Sequence, residues 1–235
     1  MLQFRRLSRQ IDARLVWFCG ALLSVDAFFI AVFAVHRIYT VLYNDNIPML
    51  GDEWHIDHDG SYAEMFGYLK EVIIVCLLIS MRRRWERPIY MALIPIFTFV
   101  LLDDAFQVHE RLGRGIVNAL ALQPFAGLRA QDLGELIAWT TLGVPLLAGA
   151  LAALVRSPEE DRSNGLLLIA AVGVLVLFAV VADMAHVAVI GTFRGADLLF
   201  TVIEDGGEQI TLALTCGLAV LIRRELLSRE PRQAV

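Results

Sequence analysis

Apolar residues gather into six long runs along the chain: Leu15 to Val41, Tyr62 to Met81, Ile89 to about Val108, Leu133 to Val155, Gly165 to Ile190 and Leu198 to Ile222. A bilayer core takes roughly 20 residues of helix, and each run reaches that length once a few polar residues inside it are accepted. The fold class expected is all-α: a polytopic six-helix transmembrane bundle forming one domain over 1–235, without repeats or low-complexity tracts. Leu136 to Val155 is the cleanest stretch. Tyr62 to Met81 is the most interrupted, by Glu64, Lys70 and Glu71, and could instead lie partly outside lipid. The first run is too long for a signal-peptide core and is expected to persist as a helix.

Composition sharpens this picture. The chain is 57% hydrophobic and 19% charged, against about 25% charged in an ordinary soluble domain. Disorder, collagen and a disulfide scaffold are excluded, and Cys19, Cys76 and Cys216 fall inside apolar runs, where buried thiols are expected. A net charge of −5 is too mild to point to nucleic acid.

The position of the charges says more than their sum. Arg5, Arg6, Arg9 and Arg14 precede the first run; Arg82, Arg83, Arg84 and Arg87 separate the second and third; Arg156 and Arg162 separate the fourth and fifth; Arg223, Arg224, Arg229 and Arg232 follow the sixth. All four groups fall on one side, which the positive-inside rule makes cytoplasmic together with both termini. The expected location is the plasma (inner) membrane.

At 1.5 Å per residue, depth can be counted from those boundaries. Asp103 lies about 24 Å from Arg87, Glu64 about 27 Å from Arg82, Asp183 about 28 Å from Asn164, and Glu204 to Glu208 about 22 to 28 Å from Arg223. With Glu135 at about 31 Å from Arg156, five helices place acids in one layer in the outer third of the membrane. All five histidines fall on the same side, two of them in the donor-rich loop Gly51 to Gly60.

Helical phase decides which of these side chains share a face. Read as one continuous helix, Asp103, Gln107, Glu110 and Arg114 form a stripe, with Asp104 to one side and His109 pointing elsewhere. Asp183 and His186 are an i, i+3 pair, Glu204 and Glu208 an i, i+4 pair, and Glu64, Tyr68 and Glu71 align. For Glu64, His109, Asp132 and Asp205 taken singly, solvation at the interface is an equally good explanation. Asp103, Asp183, Glu204 and Glu208 resist it, because an acid within a span costs several kcal/mol unless protonated, paired or wetted.

Crowded carboxylates need protons or a cation. The candidate metal ligands are Glu64, Asp103, His109, Glu110, Asp183, His186, Glu204 and Glu208. A carboxylate-x-x-His pair contributed by one helix fits di-iron or di-manganese bundle sites, which use two such pairs. His109, His186 and one carboxylate would suit zinc, and the excess of oxygen donors would suit calcium. No phosphate loop, zincin helix or activated nucleophile accompanies them. Gly206 and Gly207 mark either a close helix approach or a local break.

The segment Leu101-Leu-Asp-Asp-Ala-Phe-Gln-Val-His-Glu110 and the later Ile203-Glu-Asp-Gly-Gly-Glu208 resemble a pattern in an uncharacterised family of bacterial multi-pass membrane proteins. That resemblance covers two short motifs and implies no activity.

The leading expectation is a membrane protein with a divalent metal ion (iron, manganese, zinc or calcium), acting as a hydrolase or oxidoreductase on a lipid or membrane-soluble substrate. A cation or proton transporter and a non-catalytic metal-binding assembly or sensor subunit are the alternatives. Beyond the bilayer and a lipid or small-molecule substrate, self-association or a place in a membrane complex is left open. Finally Lys70, the sole lysine, lies at the same depth as Asp26, about 18 Å from its boundary arginine, which makes Asp26 a candidate partner; an acid on another helix and a covalently attached cofactor on Lys70 are the alternatives.

Overall fold

The computed structural model describes residues 7–43, 47, 50–85, 87–193 and 195–229. Within them the apolar runs all lie in helix: α1 (Ala13–Tyr43), α2 (Tyr62–Trp85), α3 (Pro88–Phe106), α5 (Ala130–Arg156), α6 (Glu159–Val189) and α7 (Ala196–Arg229). A seventh helix, α4 (Val108–Leu120), occupies what the sequence pattern left as an outer connection. No strand occurs among the described residues. Four helices, α1, α3, α5 and α6, are long and apolar enough to cross a membrane. Of the arginines that set the expected orientation, Arg5, Arg6 and Arg232 lie outside the described residues, as do the side chains of Arg83 and Arg84.

Local chemistry explains where the helices start. Pro88 opens α3, where its missing N–H is not needed. Asp132 folds back on α5 to accept the Arg129 backbone N–H at 2.7 Å, capping that helix rather than meeting solvent. Glu159, Glu160 and Asp161 line the first turn of α6, where the helix dipole favours negative charge. Midway, Leu177–Ala182 widens into a π-helical turn before α6 resumes at Asp183.

α7 is the axis of the bundle, packing against α1, α2 and α6. Small and hydroxylated residues, among them Thr211, Ala213, Thr215 and Ala219, cover its buried side and let neighbours approach. At Gly207 a Cβ would fall 2.4 Å from the Phe178 ring, so the Gly206–Gly207 pair marks a close approach in an unbroken helix. The main apolar core, with Ile74, Leu78, Ile89, Leu93, Phe97 and Ile222 fully buried, fills the arginine-rich half. Where lipid surrounds a helix, such packing stabilises through close van der Waals contact more than through release of water. The thiols depart from expectation: Cys216 is buried, but Cys19 is half-buried and Cys76 exposed on the outside of the bundle.

Lys70 is fully buried and its Nζ donates to Asp26 at 2.7 Å, to the Gln209 carbonyl at 2.8 Å and to Gln209 Oε1 at 2.8 Å. Three acceptors for three ammonium protons meet the condition under which a buried charge is tolerated. The pair that depth made a candidate is thus present, and Gln209 extends it to α7.

Candidate functional site: a carboxylate chamber above an apolar slot

The end of the bundle opposite the arginine clusters is hollow. A cavity of about 470 Å³ is walled by polar side chains from every part of the chain except α1: Asp57 to Asp59 from the first loop, Glu64 from α2, Asp103 and Asp104 from α3, His109 and Glu110 from α4, Glu135 from α5, Asp183 from α6, and Glu204, Asp205 and Glu208 from α7. Seven of the eight side chains anticipated as ligands therefore surround one space. The eighth, His186, stands behind it, its Nδ1 2.9 Å from Glu204 Oε2 and its Nε2 3.5 Å from Asp197. It orients Glu204 instead of lining the cavity.

The largest departure from the sequence pattern is at Gln107. Its left-handed backbone, with φ 51° and ψ 47°, ends α3 and starts α4 in a new direction. Asp103, Gln107, Glu110 and Arg114 therefore share the chamber wall without forming one helical face, and the placement of His109 away from Asp103 is wrong. The turn brings His109 back over α3: its backbone N–H donates to Asp103 Oδ1 at 2.7 Å and its Nδ1 lies 2.8 Å from Oδ2. Burial alone would lower the imidazole pKa, but the Asp103 carboxylate outweighs it and holds His109 above the usual histidine range. Gln107 itself donates to Asp59, tying the first loop to the turn.

Beyond the turn, α4 lies along α5 so closely that a Cβ on Gly134 would fall 2.5 Å from the Gly113 carbonyl. Gln131 bridges the two helices, donating to the Glu110 carbonyl at 3.1 Å and to Glu135 at 2.7 Å. Arg114 and Arg129 sit in the chamber wall, but each is engaged, with Glu110 at 3.2 Å and Asp132 at 2.6 Å. By contrast Glu71, Asp104, Asp183, Asp205 and Glu208 form no ion pair among the described residues.

Below the chamber opens a second cavity of about 380 Å³, a slot between α3, α5 and α6 lined by Ile96, Phe99, Val100, Leu147, Val172, Val176 and similar residues. The π-helical turn supplies Ala179 and Val180 to its wall, a place where such turns recur at functional sites. Asp104, Trp139, Ala179 and Glu208 line both spaces, so slot and chamber adjoin. Glu71 lines the slot, fully buried.

A family model described as a domain of unknown function (DUF8692) matches residues 25–222. The chain belongs to that family. The matched stretch runs from α1 into α7 and includes every residue that lines the chamber or the slot. No curated protein and no solved structure matches the chain.

Sequence reasoning passed over Glu71, Asp104, Glu135 and Asp205 as site residues. A signal did exist: Asp103-Asp104 and Glu204-Asp205 are acidic doublets at matching depth, and neighbours on one helix point about 100° apart, enough to face two sides of one cavity. Among the described residues no three His, Cys, Asp or Glu side chains stand close enough to hold a metal ion without rotation. Chamber-facing carboxylate oxygens are in excess, and the Asp103 carboxylate fixes the His109 ring at Nδ1.

Proposed function

We propose that the chain is a six-span protein of the plasma membrane, with both termini cytoplasmic, in which a metal-dependent hydrolase or oxidoreductase acts on a lipid or other membrane-soluble substrate. The observation that carries this reading is the shared wall of the two cavities at Asp104, Trp139, Ala179 and Glu208. A polar chamber continuous with an apolar slot matches an amphiphile, whose tail stays in a hydrocarbon-like space while its head reaches the carboxylates.

The counting of spans is supported by how α2 and α7 divide their residues. In their apolar stretches Glu64, Glu204, Asp205 and Glu208 turn to the chamber, Glu71 to the slot and Lys70 to Asp26, while Leu69, Val72, Ile210 and Leu214 remain exposed on the outside of the bundle, as lipid-facing residues would. Reporters active only outside the cell should work when fused after Gly60 or Leu122 and fail after Ser163 or the carboxyl terminus; the reverse would overturn the orientation.

Asp103, His109, Glu110, Asp183, Glu204, Glu208 and Glu64 are the residues to hold a divalent ion, with His186 steadying Glu204. A bound ion would lower the pKa of a water beside the substrate head, and a chamber carboxylate would accept its proton. Transport is disfavoured because, among the described residues, the cavities give way toward the arginine-rich half to a buried apolar core that includes Ile74, Leu78, Leu93 and Phe97. Metal analysis of purified protein tests the reading: about one or two divalent ions per chain are expected, lost in Asp183→Ala and Glu204→Ala. A folded wild-type protein that takes up no divalent ion would overturn it.

A further inference from the structure

We propose that the amphiphile this site accepts carries a basic nitrogen as its head, a long-chain amine whose ammonium is held by Glu71 and Asp104 at the mouth of the slot. The inference rests on the reading above that the slot takes the apolar part of a substrate, and adds what the head must be. Every ionisable group that lines the slot is an acid: Glu71, Asp104 and Glu208, from three different helices. Glu71 is fully buried, lies beside the Asp104 carboxyl, and neither of its oxygens makes a hydrogen bond of normal geometry. Unspent buried acceptors are costly and call for a donor.

Among the described residues no cation supplies that donor. Lys70 follows Glu71 in reverse along α2, but its three protons are committed to Asp26 and Gln209, and it does not line the slot. Arg114 and Arg129 belong to the chamber and are paired with Glu110 and Asp132. A carboxylate or phosphate head at this mouth would meet Glu71 and Asp104 with no protein cation beside them, whereas an ammonium offers donors to both carboxyls. Trp139, at the junction, adds an aromatic wall of the kind that favours cations.

The slot's size falls in the range of small-ligand pockets, and Gly173 in its wall faces open space, where a side chain can be added without displacing a neighbour.

The test compares three probes of equal chain length, dodecylamine, dodecanol and dodecanoic acid, binding to the full chain in phosphatidylcholine nanodiscs without added metal. Dodecylamine should bind at least about tenfold more tightly than the other two. Asp104→Asn and Glu71→Gln should each erase most of that preference while leaving dodecanol binding unchanged. Gly173→Phe should abolish binding of all three. Equal affinities, or a preference for the acid, would overturn the amine assignment while leaving the slot as a substrate site. Binding of none of the three, or binding indifferent to Gly173→Phe, would overturn the slot reading itself and the inference with it. Should Glu71→Gln fail to fold, the head-group ranking in wild type and Asp104→Asn decides alone.

Discussion

At the arginine-rich end of the bundle, Asp161 and Glu225 are almost wholly buried and each is answered by a cation: Arg229 lies 2.5 Å from Glu225 and 3.2 Å from Asp161, Arg87 lies 3.3 Å from Asp161, and Asn164 donates to Glu225 at 3.4 Å. At the opposite end Glu71, Asp104, Asp183, Asp205 and Glu208 are gathered from four helices without a cationic partner among the described residues. The acids are of the same chemical kind, yet one set is spent on holding helices together and the other is left facing a cavity. A buried pair that is completed stabilises the arrangement it completes, while an uncompleted cluster raises the energy of the fold and is tolerated where something else binds.

This difference predicts opposite responses to the same chemical change. The largest expected effect is at the paired end. Asp161→Ala should cost about 3 kcal/mol, because it removes the fully buried carboxylate that ties Arg87 of the α3 start and Arg229 of α7 to α6, although Arg229 keeps Glu225. Glu208→Gln, which removes a like charge from the chamber, should leave thermal stability unchanged or raise it. Equal losses in unfolding temperature for the two variants would erase the distinction between the ends.

The Asp26–Lys70 pair lies between the two regions and sharpens the comparison. Asp26→Asn and Lys70→Met should each destabilise, and the double variant should recover part of the loss, giving a coupling of about 1–3 kcal/mol. Strictly additive changes in unfolding temperature would mean that this buried pair behaves like the unpaired acids of the chamber.

The smallest effect concerns His109, the one chamber imidazole with a carboxylate at normal hydrogen-bond distance. Its pKa is raised in the folded protein, so its contribution is fully present below the unfolded value of about 6.5 and is lost as pH rises through the higher folded value. Wild type should therefore lose stability relative to His109→Gln between about pH 6 and pH 8. A difference between the two that does not vary with pH would show that Asp103 holds the turn through the His109 backbone N–H alone.

Much of this architecture was legible in the chain. Each apolar run lies in helix, because length and hydropathy are properties of local sequence and a bilayer-length apolar stretch has few other ways to satisfy its backbone. Depth was legible too, since a fixed rise per residue converts sequence position into height: the acidic layer and the Asp26–Lys70 match both follow from counting. What counting cannot supply is azimuth and interruption. One residue in the left-handed region, Gln107, carries no glycine or proline to announce it, yet it redirects α4 and changes His109 from a bystander of Asp103 into its partner. The π-helical turn before Asp183 offsets α6 in the same way, and His186, one turn later, stands behind Glu204 instead of in the chamber. The slot is beyond any single-chain pattern, because its walls are ordinary apolar faces of three helices and the cavity exists only where those faces fail to meet. Sequence periodicity determined which residues could share a layer; the packing of α7 against its neighbours decided which of them face one another, since contact depends on rotations that no one helix encodes.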